Sequence, residues 1–403
     1  MTVPADMLNL FDRHVIANYT RFPVTVERAA GSWFWDAAGK KYLDLFSGWA
    51  VASIGHSHPR LVKAIQDQAA KLIYMPNIFY HENQGRLAER IAAHSFDGKV
   101  FFCNSGAESV EGAIKLARLS TPPERFKVLS FENSFHGRTL ATLTATGQLK
   151  YREGVGPVPE GFVHAPYNDL AAAEKLADGE TAAILVEVIQ GEGGVNIGSR
   201  EFICGLRDLC DEKGIRLVFD EVWTGVGRTA RWFAHQHYGV TPDIMTLAKG
   251  LGGGVVLAAV VARGEIAEAM KPGTHASTFG GSPLATAAGC TVFDVIEEEG
   301  LLENARVRGE ELLAGLRAAS RRTGLVRDVR GLGLMAAAEL ACPGALVVKA
   351  ALERGLLVNC AHETVIRFAP CLNVTAEELR EGLDLFEAAL AAAGAAVPAG
   401  KSA

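Results

Sequence analysis

Short apolar runs recur through the middle of the chain: VFFCNS (100–105), FKVLSFE (126–132), AAILVEV (182–188), RLVFDEV (216–222), DIMTLA (243–248) and VVLAAVVA (255–262). Amphipathic stretches of helical period, such as AESVEGAIKLARLS and REFICGLRDLCDEKG, separate them. Strands that are apolar on both faces need cover on both, so the alternation predicts an α/β fold: a large, mostly parallel sheet with helices on both faces. Glycines in GEGG (191–194) and GLGGG (250–254) fall at strand ends, where ligand loops sit in such sheets.

The character changes from about Asn304. A long charged helix (NARVRGEELLAGLRAASRRTG) precedes strand-like VRDVRGLGLMAAAEL, LLVNC and VIRFAP, and a last helix starts at Thr375. This predicts a smaller α+β domain over 304–392, joined by residues 1–50, whose FPVTVERAAGSWFWDAAGKKYLDL suggests a hairpin. Residues 51–303 then form the large domain, and the low-complexity end, 393–403, is expected to be a disordered tail.

At 403 residues the chain can bury a sizeable core. Its net charge of -6 is spread without a long basic run, which argues against nucleic acid or an anionic membrane as partner and for small-molecule chemistry. No apolar segment approaches the ~18 residues of a membrane span, and MTVPADMLNLFDRH lacks the layout of a secretion signal, so a cytoplasmic protein is expected. Seven scattered cysteines without a CxxC pair suit reduced, mostly buried residues.

The chemistry concentrates on Asp220, at the end of one expected strand, and Lys249, at the end of the next. Adjacent parallel strands bring their carboxyl ends to one crevice, so the carboxylate and the amine can face each other. A desolvated lysine can lose its proton and attack a carbonyl to form a Schiff base, although a plain buried ion pair uses the same spacing. CNSGAE (103–108) puts small residues between a strand and a helix, where free N–H groups favour an anion. An amine for an aldehyde, an anion for a pyridine nitrogen and a nest for a phosphate together match the needs of pyridoxal 5'-phosphate (PLP).

CNSGAE, FENSFHGRTLATLTATGQ, EVIQGEGGV, FDEVWTGVGRT, PDIMTLAKGLGGG, STFGGSPLA and VIRFAP resemble the ordered motifs of the class III (ornithine-type) aminotransferases, PLP-dependent transferases of fold type I. The likeness runs from NYTRFPV near Asn18 to the last helix, and its nearest branch is the acetylornithine aminotransferases of arginine biosynthesis. It implies that Lys249 joins the cofactor's aldehyde and shuttles a proton, while Asp220 keeps the pyridine nitrogen protonated. Phe135 would stack on the ring with His136 beside it, Glu187 would support the cofactor side, and Ser105, Gly106 and Ala107 would hold the phosphate. Thr278 would complete that phosphate site from the other subunit of a homodimer. Arg367 would grip the α-carboxylate of glutamate or 2-oxoglutarate, Arg138 a further substrate carboxylate, and Glu192 would pair with Arg367 as a gate when the second donor binds. Tyr19 and Trp49 would line the substrate pocket. The implied substrates are amino acids and 2-oxo acids, with N-acetylornithine first and ornithine, succinyl-diaminopimelate and 4-aminobutyrate as rivals.

Two further readings belong to other classes. A decarboxylase or mutase on the same cofactor would keep Lys249 and Asp220 without the paired Arg367 and Glu192, and a silent PLP-fold regulator would lose the lysine. The chain also departs from the family pattern. Trp223 stands where a glutamine is usual, Trp49 where isoleucine or tyrosine is common, Ser282 replaces an asparagine, and Val255–Val256 replaces an aromatic-proline pair. An indole N–H donates but cannot accept, so Trp223 either replaces the glutamine's donor or turns aside and packs. GVGRTA (225–230) matches a dinucleotide pattern, but it starts several residues past the strand and no acidic residue ends a following strand at the expected spacing. GHSHP (55–59) and HQH (235–237) lack further ligands, so no metal site is expected.

Overall fold

A computed structural model describes residues 3–395. Seven strands form the central sheet in the order Gly98–Cys103, Ala258–Arg263, Ile244–Leu247, Arg216–Asp220, Thr181–Val186, Lys127–Phe131, Phe162–Ala165. All pairings are parallel except the two made by Ala258–Arg263, which runs antiparallel to both neighbours. The edge strand Phe162–Ala165 is missing from the runs picked out of the sequence, because four residues at an edge carry no clear period. The expected strand at 255–262 begins only at Ala258. Positive φ at Gly253 and Gly254 turns the chain first and leaves Val255 and Val256 free to line a cavity.

Strand alternation divides the core. Leu217 and Phe219 pack with Phe202, Ile203 and Leu206 of the helix Arg200–Lys213, whereas Val218 packs with Val110, Ala113 and Ile114 of the helix Gly106–Leu119. Each of the Leu, Ile, Val and Phe side chains, buried, contributes about 1.5–3 kcal/mol, so both faces are held firmly. The same period puts Asp220 on the face of the Gly106–Leu119 helix and Glu221 on the other. Glu221 is buried there and its carboxylate accepts from the N–H groups of Ala234 (2.6 Å) and His235 (2.8 Å), a purely structural arrangement.

A second, antiparallel sheet orders Val326–Leu332, Met335–Leu340, Val365–Phe368 and Asn359–Ala361, covered by the helices Leu301–Thr323, Gly344–Glu353 and Ala376–Ala395. The N-terminal strands Val26–Ala30, Trp33–Asp36 and Lys41–Asp44 form a meander that pairs in parallel with Leu356–Leu357. The last helix runs to Ala395 with Ala393 buried, so residues 393–395 of the expected tail are helical; 396–403 lie outside the described residues. GVGRTA proves to be a joint rather than a nucleotide loop. The buried Arg228 guanidinium donates to the carbonyls of Leu334 (3.1 Å) and Pro370, tying the central sheet to the C-terminal one. Among the described residues, no helix is long and apolar enough to cross a membrane.

Candidate active site

A cavity of about 400 Å³ opens at the carboxyl ends of the parallel strands. Lys249 enters it two residues after the end of Ile244–Leu247, with a backbone φ of 38°, an uncommon value for a residue with a side chain. Burial pushes the Lys249 ammonium below its ordinary range; Glu192, Asp220 and Glu187 oppose this shift, and Arg367 adds to it. The amine lies 4.3 Å from the centroid of the Trp223 ring.

Asp220 is almost fully buried, and three donors fix its carboxylate while leaving acceptor capacity. Its Oδ2 accepts from Nδ1 of His136 at 2.8 Å, and its Oδ1 accepts from the Thr246 hydroxyl at 3.1 Å and the Val222 N–H at 3.0 Å. Because a carboxylate only accepts, the His136 proton sits on Nδ1, and Nε2 is left buried without a partner. Glu187 accepts from the N–H groups of Phe135 (2.9 Å) and Gly191 (3.3 Å), and burial pushes its carboxyl up to about 7.

Ser105 caps the helix Gly106–Leu119 in a reciprocal box with Glu108. Its Oγ accepts the Glu108 N–H at 3.2 Å, which leaves the hydroxyl proton to donate, and the N–H groups of Gly106 and Ala107 have no partner among the described residues at the cavity, with the helix dipole behind them. A Cβ on Gly106 would meet Val222 at 3.0 Å, so the backbone passes close at this point. Arg138 is exposed at the cavity wall, its guanidinium 3.8 Å from the Tyr151 ring and 5.5 Å from that of Phe135.

Arg367 is buried behind this wall. Its guanidinium donates to Asn359 Oδ1 and to the Gly191 carbonyl (3.0 Å), and Nη1 pairs with Glu192 Oε1 at 3.1 Å. It also stacks 4.9 Å from the Trp223 ring and 5.3 Å from that of Phe46. Trp223 packs at the cavity wall: its indole meets Phe46 edge-on at 5.9 Å, lies flush against Gly191, and has Nε1 buried without a partner. Trp49 also meets Phe46 edge-on at 5.6 Å, and with Tyr19 it lines a neighbouring cavity of about 580 Å³ rather than that of Lys249. Thr278 is exposed and also lies outside the Lys249 cavity.

The structure therefore brings Ser105, Gly106, Ala107, Phe135, His136, Arg138, Glu187, Glu192, Asp220, Trp223 and Lys249 around one cavity, with Arg367 just behind. Thr246, Phe46, Asn359 and Tyr151 escaped the sequence reading. Two of them had a findable signal, since Thr246 stands opposite Asp220 and Asn359 opposite Arg367 in strand register. Of the other departures, Ser282 accepts from the Ala285 N–H as a helix cap. The loop histidines find ordinary partners, His56 on Asp44 and His237 on the Thr229 carbonyl.

A desolvated lysine, a buried carboxylate and an open helix N-terminus suit an aldehyde cofactor with a basic ring nitrogen and a phosphate, and the residues fit PLP. Fold and site define a PLP-dependent transferase of fold type I. The profile of the aminotransferase class-III family matches residues 15–390. The chain belongs to that family and is a PLP-dependent aminotransferase. It is 46% identical to the acetylornithine aminotransferase of Caldanaerobacter subterraneus over 94% of this chain and 98% of that one. Among solved structures, the acetylornithine aminotransferase of Elizabethkingia anophelis aligns with TM-score 0.85 and 34% identity over 96% and 98% of the two chains. An ornithine aminotransferase of Toxoplasma gondii, described with partial occupancy of PLP at its active site, aligns with TM-score 0.93 and 33% identity over 98% and 96%.

Proposed function

We propose that the protein exchanges the terminal amino group of N-acetylornithine with 2-oxoglutarate, giving the N-acetylated semialdehyde and glutamate, a step of arginine biosynthesis. The observation that carries the reading is the 3.1 Å pair between Arg367 and Glu192 beside Lys249. Two kinds of substrate must react at one lysine. Glutamate brings a carboxylate next to its reacting carbon, and Arg367 receives it as a fixed guanidinium fork. A terminal amine brings none, and a buried guanidinium left alone there would be costly, so Glu192 neutralises it. Arg138, free of any carboxylate among the described residues, then takes the distant carboxylate.

PLP, when bound, supplies an electron sink that stabilises the carbanion at the substrate carbon. Gly106, Ala107 and Ser105 would hold the phosphate and Asp220 would hold the proton of the pyridine nitrogen, with His136 and Thr246 fixing Asp220 in turn. Phe135 would pack against the ring, and Glu187 fixes Phe135 through its backbone N–H. Lys249 Nζ takes the proton from the substrate carbon bearing the amine and later returns one to complete the exchange.

The reading includes a homodimer in which Thr278 of the partner subunit completes the phosphate site. It is supported by the exposed apolar side chains Ile78, Phe79, Tyr80 and Phe279 beside Thr278, a patch that a second copy would cover. Seven unpaired cysteines support a reducing, cytoplasmic setting. Residues 1–50 and 304–392 are read as one unit and 51–303 as the other.

The test is a half-reaction screen: the PLP form is mixed with N-acetylornithine, ornithine, succinyl-diaminopimelate or 4-aminobutyrate, and loss of the bound cofactor's absorption band is followed. N-acetylornithine is expected to react fastest. A rate no greater than that of 4-aminobutyrate would overturn the assignment.

A further inference from the structure

Every carbonyl from Gly191 to Gly194 accepts a hydrogen bond from a side chain. Arg367 Nη1 donates to Gly191 (3.0 Å), His362 Nε2 to Glu192 (3.1 Å), Asn196 Nδ2 to Gly193 (2.9 Å) and Arg330 Nε to Gly194 (3.0 Å). Three of the four donors come from the C-terminal sheet, although the loop itself belongs to the chain that follows the central strand Thr181–Val186. Arg330 is itself braced by Asp328 and Glu339, each at 2.8 Å. A loop of three glycines around one glutamate has little stiffness of its own, so these bonds supply the rigidity that its sequence lacks.

We propose that His362 is a positioning residue for Glu192: by holding the Glu192 carbonyl it keeps the backbone still, so that the carboxylate meets or leaves Arg367 by rotating on a fixed Cα. The inference rests on the gate described above and adds what sets its balance. His362 sits on an exposed turn between two strands of the C-terminal sheet and touches neither Lys249 nor the cavity. Its bond favours the closed pair. Without it the loop can drift, the Glu192–Arg367 contact weakens, and Arg367 becomes more available to a dicarboxylate.

The experiment compares the holoenzyme with its His362→Ala, His362→Gln and Glu192→Ala variants. Affinity for glutarate, an unreactive five-carbon dicarboxylate, is measured by titration calorimetry, and single-turnover rates are measured with glutamate and with N-acetylornithine. His362→Ala should bind glutarate about 2- to 10-fold tighter, the factor one neutral hydrogen bond is worth, and should shift the ratio of half-reaction rates toward glutamate. Glu192→Ala should shift both further in the same direction. His362→Gln, whose amide N–H can reach the same carbonyl, should restore the parent values. If Glu192→Ala moves both readouts while His362→Ala moves neither, or if glutamine fails to restore them, the positioning role is overturned and the gate stands. If Glu192→Ala itself moves neither, the gate falls and this inference with it.

Discussion

The Lys249 amine and the Trp223 indole are in contact, with Nζ 4.3 Å from the ring centroid, and the Arg367 guanidinium lies 4.9 Å from the same ring. One aromatic side chain thus borders both the amine and the guanidinium on which the chemistry depends. Trp223→Gln is expected to retain PLP, because the contacts made by Asp220, Gly106 and Ala107 do not involve the indole. The substitution gives up an edge-to-face pair and two cation–aromatic contacts, a loss of about 1–3 kcal/mol in urea unfolding. Absorbance of bound cofactor after gel filtration provides the check. Its disappearance would show that the indole supports the cofactor site.

Lys249→Ala should fold and lose turnover by about 10²–10⁴-fold or more, since it removes the only lysine amine that lines the cavity among the described residues. Reduction of the native holoenzyme with borohydride should attach the cofactor to Lys249, as read by peptide mass. Attachment to another lysine would refute the assignment.

Glu187 predicts a pH signature. Burial pushes its carboxyl from 4.5 to about 7, so between those values the folded state holds a proton that the unfolded state has released. Stability is therefore greatest at the acid end of this window and falls as pH rises through it, by up to about 3 kcal/mol from this group. In the cofactor-free protein, Glu187→Gln should flatten that slope in urea titrations at stepped pH. An unchanged slope would place the titration elsewhere.

The dimer reading predicts complementation between two impaired subunits at limiting PLP. Lys249→Ala lacks the amine, and Thr278→Val is expected to bind PLP about 10-fold more weakly by losing a hydrogen bond to a charged group. Co-expressed, they should form hybrid dimers with one intact site, containing Lys249 of one chain and Thr278 of the other. Recovery of cofactor and activity in the isolated hybrid would confirm shared sites; activity no better than the two parents would refute them.

Lys249, Asp220 and the Gly106 helix start were legible in the sequence because each depends on local order. Apolar runs define strands, strand period assigns Asp220 and Glu221 to opposite faces, and small residues after a strand mark an anion nest. The parallel connection of successive strands then brings their ends together by topology alone. The Arg367 environment was not legible in that way. Its bonds to Gly191 and Asn359 span 176 and 8 residues, and the distant one exists only because the C-terminal sheet docks on the loop. The packing of Trp223 on Phe46 and Gly191 and the clamp on the Glu192 loop are likewise decided by tertiary contacts, where side-chain volume and unpaired donors must be satisfied jointly. Sequence determined which groups could react; the tertiary structure decided which of them face one another.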